Sequence, residues 1–154
     1  MPDGQNRGPD IAGAAAAPRP DGGPGRERML ATIDAALAAR SRGDKGEVAR
    51  YLAPGALFRI AGNSSLYGAF PAGPGEAQAT VAELIDRVRF HDHERLDAIV
   101  EGNRAACRWR IDFSIDDGPI GTTELCDLWT FDAEGRVTEL VQFVDTALLV
   151  RMVG

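Results

Sequence analysis

Cysteine, histidine and basic charge are all scarce in this chain of 154 residues, which has two Cys, two His and 17 Lys+Arg against 23 Asp+Glu. Two cysteines are too few for a disulfide scaffold, and Cys107 and Cys126 each sit inside an apolar, strand-like run. They read as reduced core residues of a cytoplasmic protein, with a bridge between neighbouring strands as the less favoured alternative. A net charge of −6 argues against nucleic acid, since non-specific affinity for it rests on neutralising phosphates, and the basic residues are scattered rather than clustered. No apolar run approaches the roughly 18–20 residues that cross a bilayer, so no membrane partner is expected. A phosphate-binding loop is lacking too: "GNSSLYG" has neither the Lys nor the following helix start that such a site needs. Ser64 and Ser65 stand in no nucleophile-elbow pattern.

The first 25 residues carry five of the nine prolines and six of the eighteen glycines. Beyond Met1, Ile11 is their one large apolar residue, so they bury too little surface to offset the entropy of ordering. Residues 1–25 are expected to be a disordered tail, and residues 26–154 a single domain, as the length also favours.

In the folded part, Met29, Ile33, Ala36, Leu37 and Arg40 fall at helical spacing between Arg26 and Ser41. Gly43 suits the end of that helix and Asp44 the cap of the next, "KGEVARYLA". "ALFRIA" reads as a strand, residues 61–75 as irregular, and residues 76–89 as a third helix burying Val81, Leu84, Ile85 and Val88. Four strands then follow, separated by "GN", "DDGP" and "DAEG", turn signals of antiparallel hairpins. The last strand is read through "RVTELVQFVDTALLV". Helices followed by a meander of strands define an α+β domain, whose sheet, if curled, would enclose a pocket under the helices.

Within "RWRIDF" (108–113), strand alternation puts Arg108, Arg110 and Asp112 on one face and Trp109, Ile111 and Phe113 on the other. The charged face looks either at water or into a pocket that needs charge. Trp109, Trp129, Phe113 and Phe131, on alternating strand positions, read as core or as the apolar surface of a dimer. "HDH" places His91 and His93 at the spacing of two metal ligands on a strand face. No third ligand follows at a recognisable spacing, and no metal or other cofactor is expected.

Taken together, "ARSRGDKGEVARYLAPGALFRIAG" and "LCDLWTFDAEGRVTELVQFVD" make residues 28–150 resemble the nuclear transport factor 2-like superfamily, which includes ketosteroid isomerase, SnoaL-like polyketide cyclases and limonene-epoxide hydrolase. The resemblance implies a cone-shaped α+β fold, a curved antiparallel sheet and three helices around a pocket. It also implies three alternative chemistries. Asp127 in "CDLWTFD" matches the ketosteroid isomerase acid that stays protonated in an apolar site and donates to an oxyanion; that family's tyrosine falls near Ala36 and its base near Ile60. Arg110-Ile111-Asp112 with Asp145 resembles the limonene-epoxide hydrolase set, with Phe58 and Ile60 standing where that family holds its water with Tyr and Asn. Asp145 alone matches the acid of the SnoaL-like cyclases.

The leading expectation is a SnoaL-like pocket protein that handles a small apolar molecule by cofactor-free acid/base chemistry. Asp145 would be the base, Asp112 or Asp127 the proton donor, and Arg110 the group setting their ionisation, with Phe58, Ile60, Trp129 and Phe143 lining the pocket. The rival is a non-catalytic module that forms a homodimer through the outer face of the sheet, with Trp109, Phe113 and Trp129 as its apolar surface.

Overall fold

The computed structural model describes residues 23–62 and 70–153. Residues 1–22 of the expected tail lie outside the described residues, and helix α1 (Arg26–Arg42) begins directly after Gly25. Its buried stripe is Met29, Ile33, Ala36 and Leu37, as the spacing predicts. Gly43 ends it in the left-handed region (φ 72°), where a residue without Cβ is unstrained. Asp44 then caps α2 (Lys45–Arg50), accepting from the Glu47 amide at 3.0 Å.

Strand β1 (Leu52–Ile60), a two-residue β2 (Gly75–Glu76) and α3 (Ala77–Arg87) follow. Glu76 accepts from the Gln78 and Ala79 amides and so caps α3. The meander is β3 (Val88–Glu101), β4 (Arg104–Ile115), β5 (Gly121–Phe131) and β6 (Val137–Phe143). Its hairpins turn where the sequence placed them, through Gly102, through Asp116 and Asp117, and at Gly135, all with positive φ. The sheet has six strands in the order β2-β1-β6-β5-β4-β3, curved and unclosed. Helix α1 packs on β3 and α3 on β1.

Element ends shift by a few residues, so that Leu52 and Ala53 belong to β1 rather than the second helix, Gly75 to β2, and Val88 to β3 rather than the third helix. Two larger features also differ from the sequence reading. The sheet is mixed, because β1 runs parallel to β6; the intervening α3 and meander supply the long connection that parallel pairing requires. The chain after Phe143 also leaves the sheet and forms a fourth helix, α4 (Thr146–Val153). Asp145 initiates it by accepting from the Leu148 amide at 2.9 Å, the geometry of an N-cap.

The core lies between the concave face of the sheet and the helices, and Trp109, Ile111, Phe113, Trp129 and Phe131 are all buried in it. They are therefore unavailable as an outer dimer surface. Cys107 and Cys126 are free. On adjacent strands Cys107 pairs with Asp127, and Cys126 with Arg108, so the two thiols face opposite sides of the sheet, which rules out a bridge. Among the described residues no helix is long and apolar enough to cross a membrane.

Candidate functional site

A cavity of about 100 Å³ opens between the concave face and the helices. Its wall is mostly apolar: Ala36 and Leu37 from α1, Phe58 and Ile60 from β1, Val81 and Leu84 from α3, Phe90 from β3, Ile111 and Phe113 from β4, Leu125 and Trp129 from β5, and Leu140 from β6. Arg40, Tyr51, Thr123, Gln142 and Asp145 are the polar members named in that wall. Phe58, Ile60 and Trp129 are thus where the sequence placed them.

Phe143 is not. Strand β6 turns Leu140 and Gln142 inward, so Phe143 points outward, 47% exposed, beside Cys126 on β5. Arg110 and Asp112 also lie outside the cavity, on the convex face. The neighbouring strands bring opposite charge to that face: Arg110 meets Glu94 at 3.2 Å, Asp92 at 3.5 Å and Asp112 at 3.6 Å. Arg108 pairs with Glu124 at 3.0 Å, and the Thr122 hydroxyl donates to Asp112 at 2.7 Å. The charged row of β4 faces water, and the Arg110–Asp112–Asp145 constellation is not assembled.

Asp145 stands at the cavity wall where β6 gives way to α4; it is exposed, and one carboxylate oxygen is engaged by the Leu148 amide. Asp127 lies behind the wall. It is wholly buried on the face of β5 that also carries Leu125 and Trp129. Burial pushes its carboxyl up to about 7, against weaker pulls from Gln142 and the indole N–H groups of Trp129 and Trp109. None of these donors closes to full hydrogen-bond geometry with it, so the ionised form is only partly compensated.

The sequence reading missed Arg40 as a site residue, although it stood on the apolar stripe of α1. Its guanidinium lies over the Phe90 ring, 4.2 Å from the centroid, and donates from Nη2 to the Val88 carbonyl at 2.5 Å and the Leu84 carbonyl at 3.3 Å. Desolvation lowers its pKa to about 10.

The two histidines do not act together. A bulge between Phe90 and Asp92 breaks the alternation, setting His91 against the Ser114 hydroxyl and His93 against the Ser41 hydroxyl, each at 2.8 Å. Among the described residues no group of three His, Cys, Asp or Glu is placed to hold a metal ion.

No curated protein sequence matches the chain. Among solved structures it is similar to an NTF2-like protein of unknown function from Burkholderia pseudomallei, with a TM-score of 0.67 and 21% identity over 82% of this chain and 97% of that one. It is also similar to an LEH-like epoxide hydrolase of M. tuberculosis (TM-score 0.64, 16% identity, 82% and 90% covered). A third similar structure is TsrD from Streptomyces laurentii (TM-score 0.60, 20% identity, 85% and 98% covered). At these identities the likeness is one of fold, and fold alone does not fix chemistry. A family model described as the SnoaL-like domain matches residues 33–140, and the chain belongs to that family.

Proposed function

We propose that the protein works on a small, mostly apolar molecule by acid/base chemistry of the isomerase, cyclase or hydrolase type, with no cofactor. The observation that carries this reading is an apolar cavity with a carboxylate, Asp145, in its wall. A few polar groups in an otherwise apolar cavity are what orients a small substrate. Asp145 acts as the base, taking a proton from a carbon acid or a water held in the cavity. Asp127, buried behind Trp129 and Gln142, is a positioning residue: its charge state, set near neutrality, governs how those two cavity-wall groups are held. The epoxide hydrolase alternative keeps Asp145 and loses Arg110 and Asp112, which face solvent.

Asp145→Asn and Asp145→Ser test the assignment, since both keep a side chain able to cap α4 and remove the base. Screened on enolisable ketones, lactones and epoxides, each variant should lose roughly 10²–10⁴-fold in turnover while staying folded. Turnover undiminished in both would remove Asp145 from the chemistry.

A second reading, a homodimer through the convex face, is favoured by Leu57 and Phe143, which are 52% and 47% exposed there. The apolar surface is then theirs and not that of the buried tryptophans. Sedimentation should give a dimer that Phe143→Asp converts to a monomer; a wild-type monomer at high concentration would end this reading.

A further inference from the structure

We propose that Arg40 anchors the carboxylate end of a small apolar acid bound in the cavity; this deepens the pocket reading above and rests on it.

The guanidinium is set apart from the ion-paired arginines of the fold. Arg50, Arg87, Arg95, Arg108 and Arg110 each meet a carboxylate at 3.2 Å or less. Arg40 has no carboxylate within ion-pair distance among the described residues, although it is the arginine whose charge is most desolvated. A desolvated cation without a counter-charge is costly to keep, and an anionic ligand supplies the missing charge.

The donor geometry agrees. Both hydrogen bonds of Arg40 leave from Nη2. Nε and Nη1 donate to none of the described residues, so each is open to an oxygen of a bound carboxylate; the paired fork seen at Arg87, through Nε and Nη2, is closed here because Nη2 is held by the two carbonyls. Phe90 beneath the guanidinium plane and the two carbonyls at the end of α3 hold it in place, so little rotamer entropy remains to be lost when an acid binds.

Cavity size limits the rest of the ligand. About 100 Å³ is near the scale of an apolar cavity of roughly 150 Å³ that accepts benzene. The body is therefore a single ring or a short alkyl chain, lying against Leu125, Phe113 and Leu140.

The test compares isosteres on the whole chain by calorimetry: benzoate against benzamide, and hexanoate against hexanamide. The acids should bind at least about tenfold more tightly, and the Arg40 Nε–H resonance should shift with benzoate and not with benzamide. Arg40→Met should erase the preference, weakening benzoate far more than benzamide. Should that variant fail to fold, the wild-type isostere comparison and the Nε–H resonance decide. Equal binding of acid and amide, or a preference that survives Arg40→Met, overturns the anchor and leaves the pocket reading standing. Binding of none of the four probes overturns both.

Discussion

Asp127 makes the stability of this fold depend on pH in a direction opposite to that of a salt-bridged aspartate. Its carboxyl is wholly buried and titrates at about 7, against an ordinary value of 3.8. At 1.36 kcal/mol per pH decade, that difference makes the folded state favour the protonated form by ~4 kcal/mol. Because the folded value is raised, this stabilisation is fully present below pH 3.8, declines as pH rises, and is gone above about 7. Integrated over protons bound, about 3 kcal/mol of it disappears between pH 4.5 and 8. That is a large fraction of the roughly 5–15 kcal/mol by which domains are stable. Asp127→Asn keeps the shape and removes the titration. Urea unfolding of both proteins, followed by the fluorescence of Trp109 and Trp129, which flank the site, isolates the effect as a difference. Relative to the variant, wild type should lose about 3 kcal/mol from pH 4.5 to 8, with the same m-value in both proteins. The absolute offset depends on how well the Asn amide fits among neighbouring donors; the slope does not. A gap that stays constant across this range refutes the reasoning, as does a carbon-detected Asp127 titration near 3.8.

Two further outcomes follow from the same sheet. Burial pushes the Cys107 thiol up to about 12 while Cys126 is partly exposed on the other face, so a thiol reagent should modify one cysteine in the native protein and two in denaturant, with no intramolecular disulfide under oxidation. Arg110→Ala should cost no more than about 1 kcal/mol in chemical denaturation, because its three acidic partners are solvent-facing and exposed pairs contribute little; a much larger loss would mean that the convex face is covered.

Most of the fold was legible because local signals and the global pattern agree. The stripe of α1, the Asp44 cap and the three hairpin turns all sit where spacing and turn chemistry put them. The two departures have a common origin in what is local. Parallel pairing of β1 with β6 joins segments that sequence periodicity cannot relate. In "DTALLV" the apolar residues look strand-like, and the signal that overrides them is Asp145, whose side chain caps the Leu148 amide and starts α4. One residue thus ends the sheet and holds a carboxylate at the cavity wall.

The site was harder to read, for a reason visible in β4. Alternation tells which side chains share a face but not which face is wet. Arg108, Arg110 and Asp112 share theirs with Asp92 and Glu94 on β3 and Glu124 on β5, so the row is neutralised across strands and needs no cavity. Arg40 and Asp127 are the reverse case. Each stands alone among apolar neighbours on its own face: Ala36 and Leu37 beside Arg40, Leu125 and Trp129 beside Asp127. Among the described residues, neither meets an opposite charge across the packing. A charge that its own element leaves uncompensated must find a proton, a backbone carbonyl or a ligand. Asp127 takes the proton; Arg40 has two carbonyls for Nη2, and no described residue accepts from its other two nitrogens. In this fold the solitary charge on an apolar stripe, and not the charged row, is what points to the cavity.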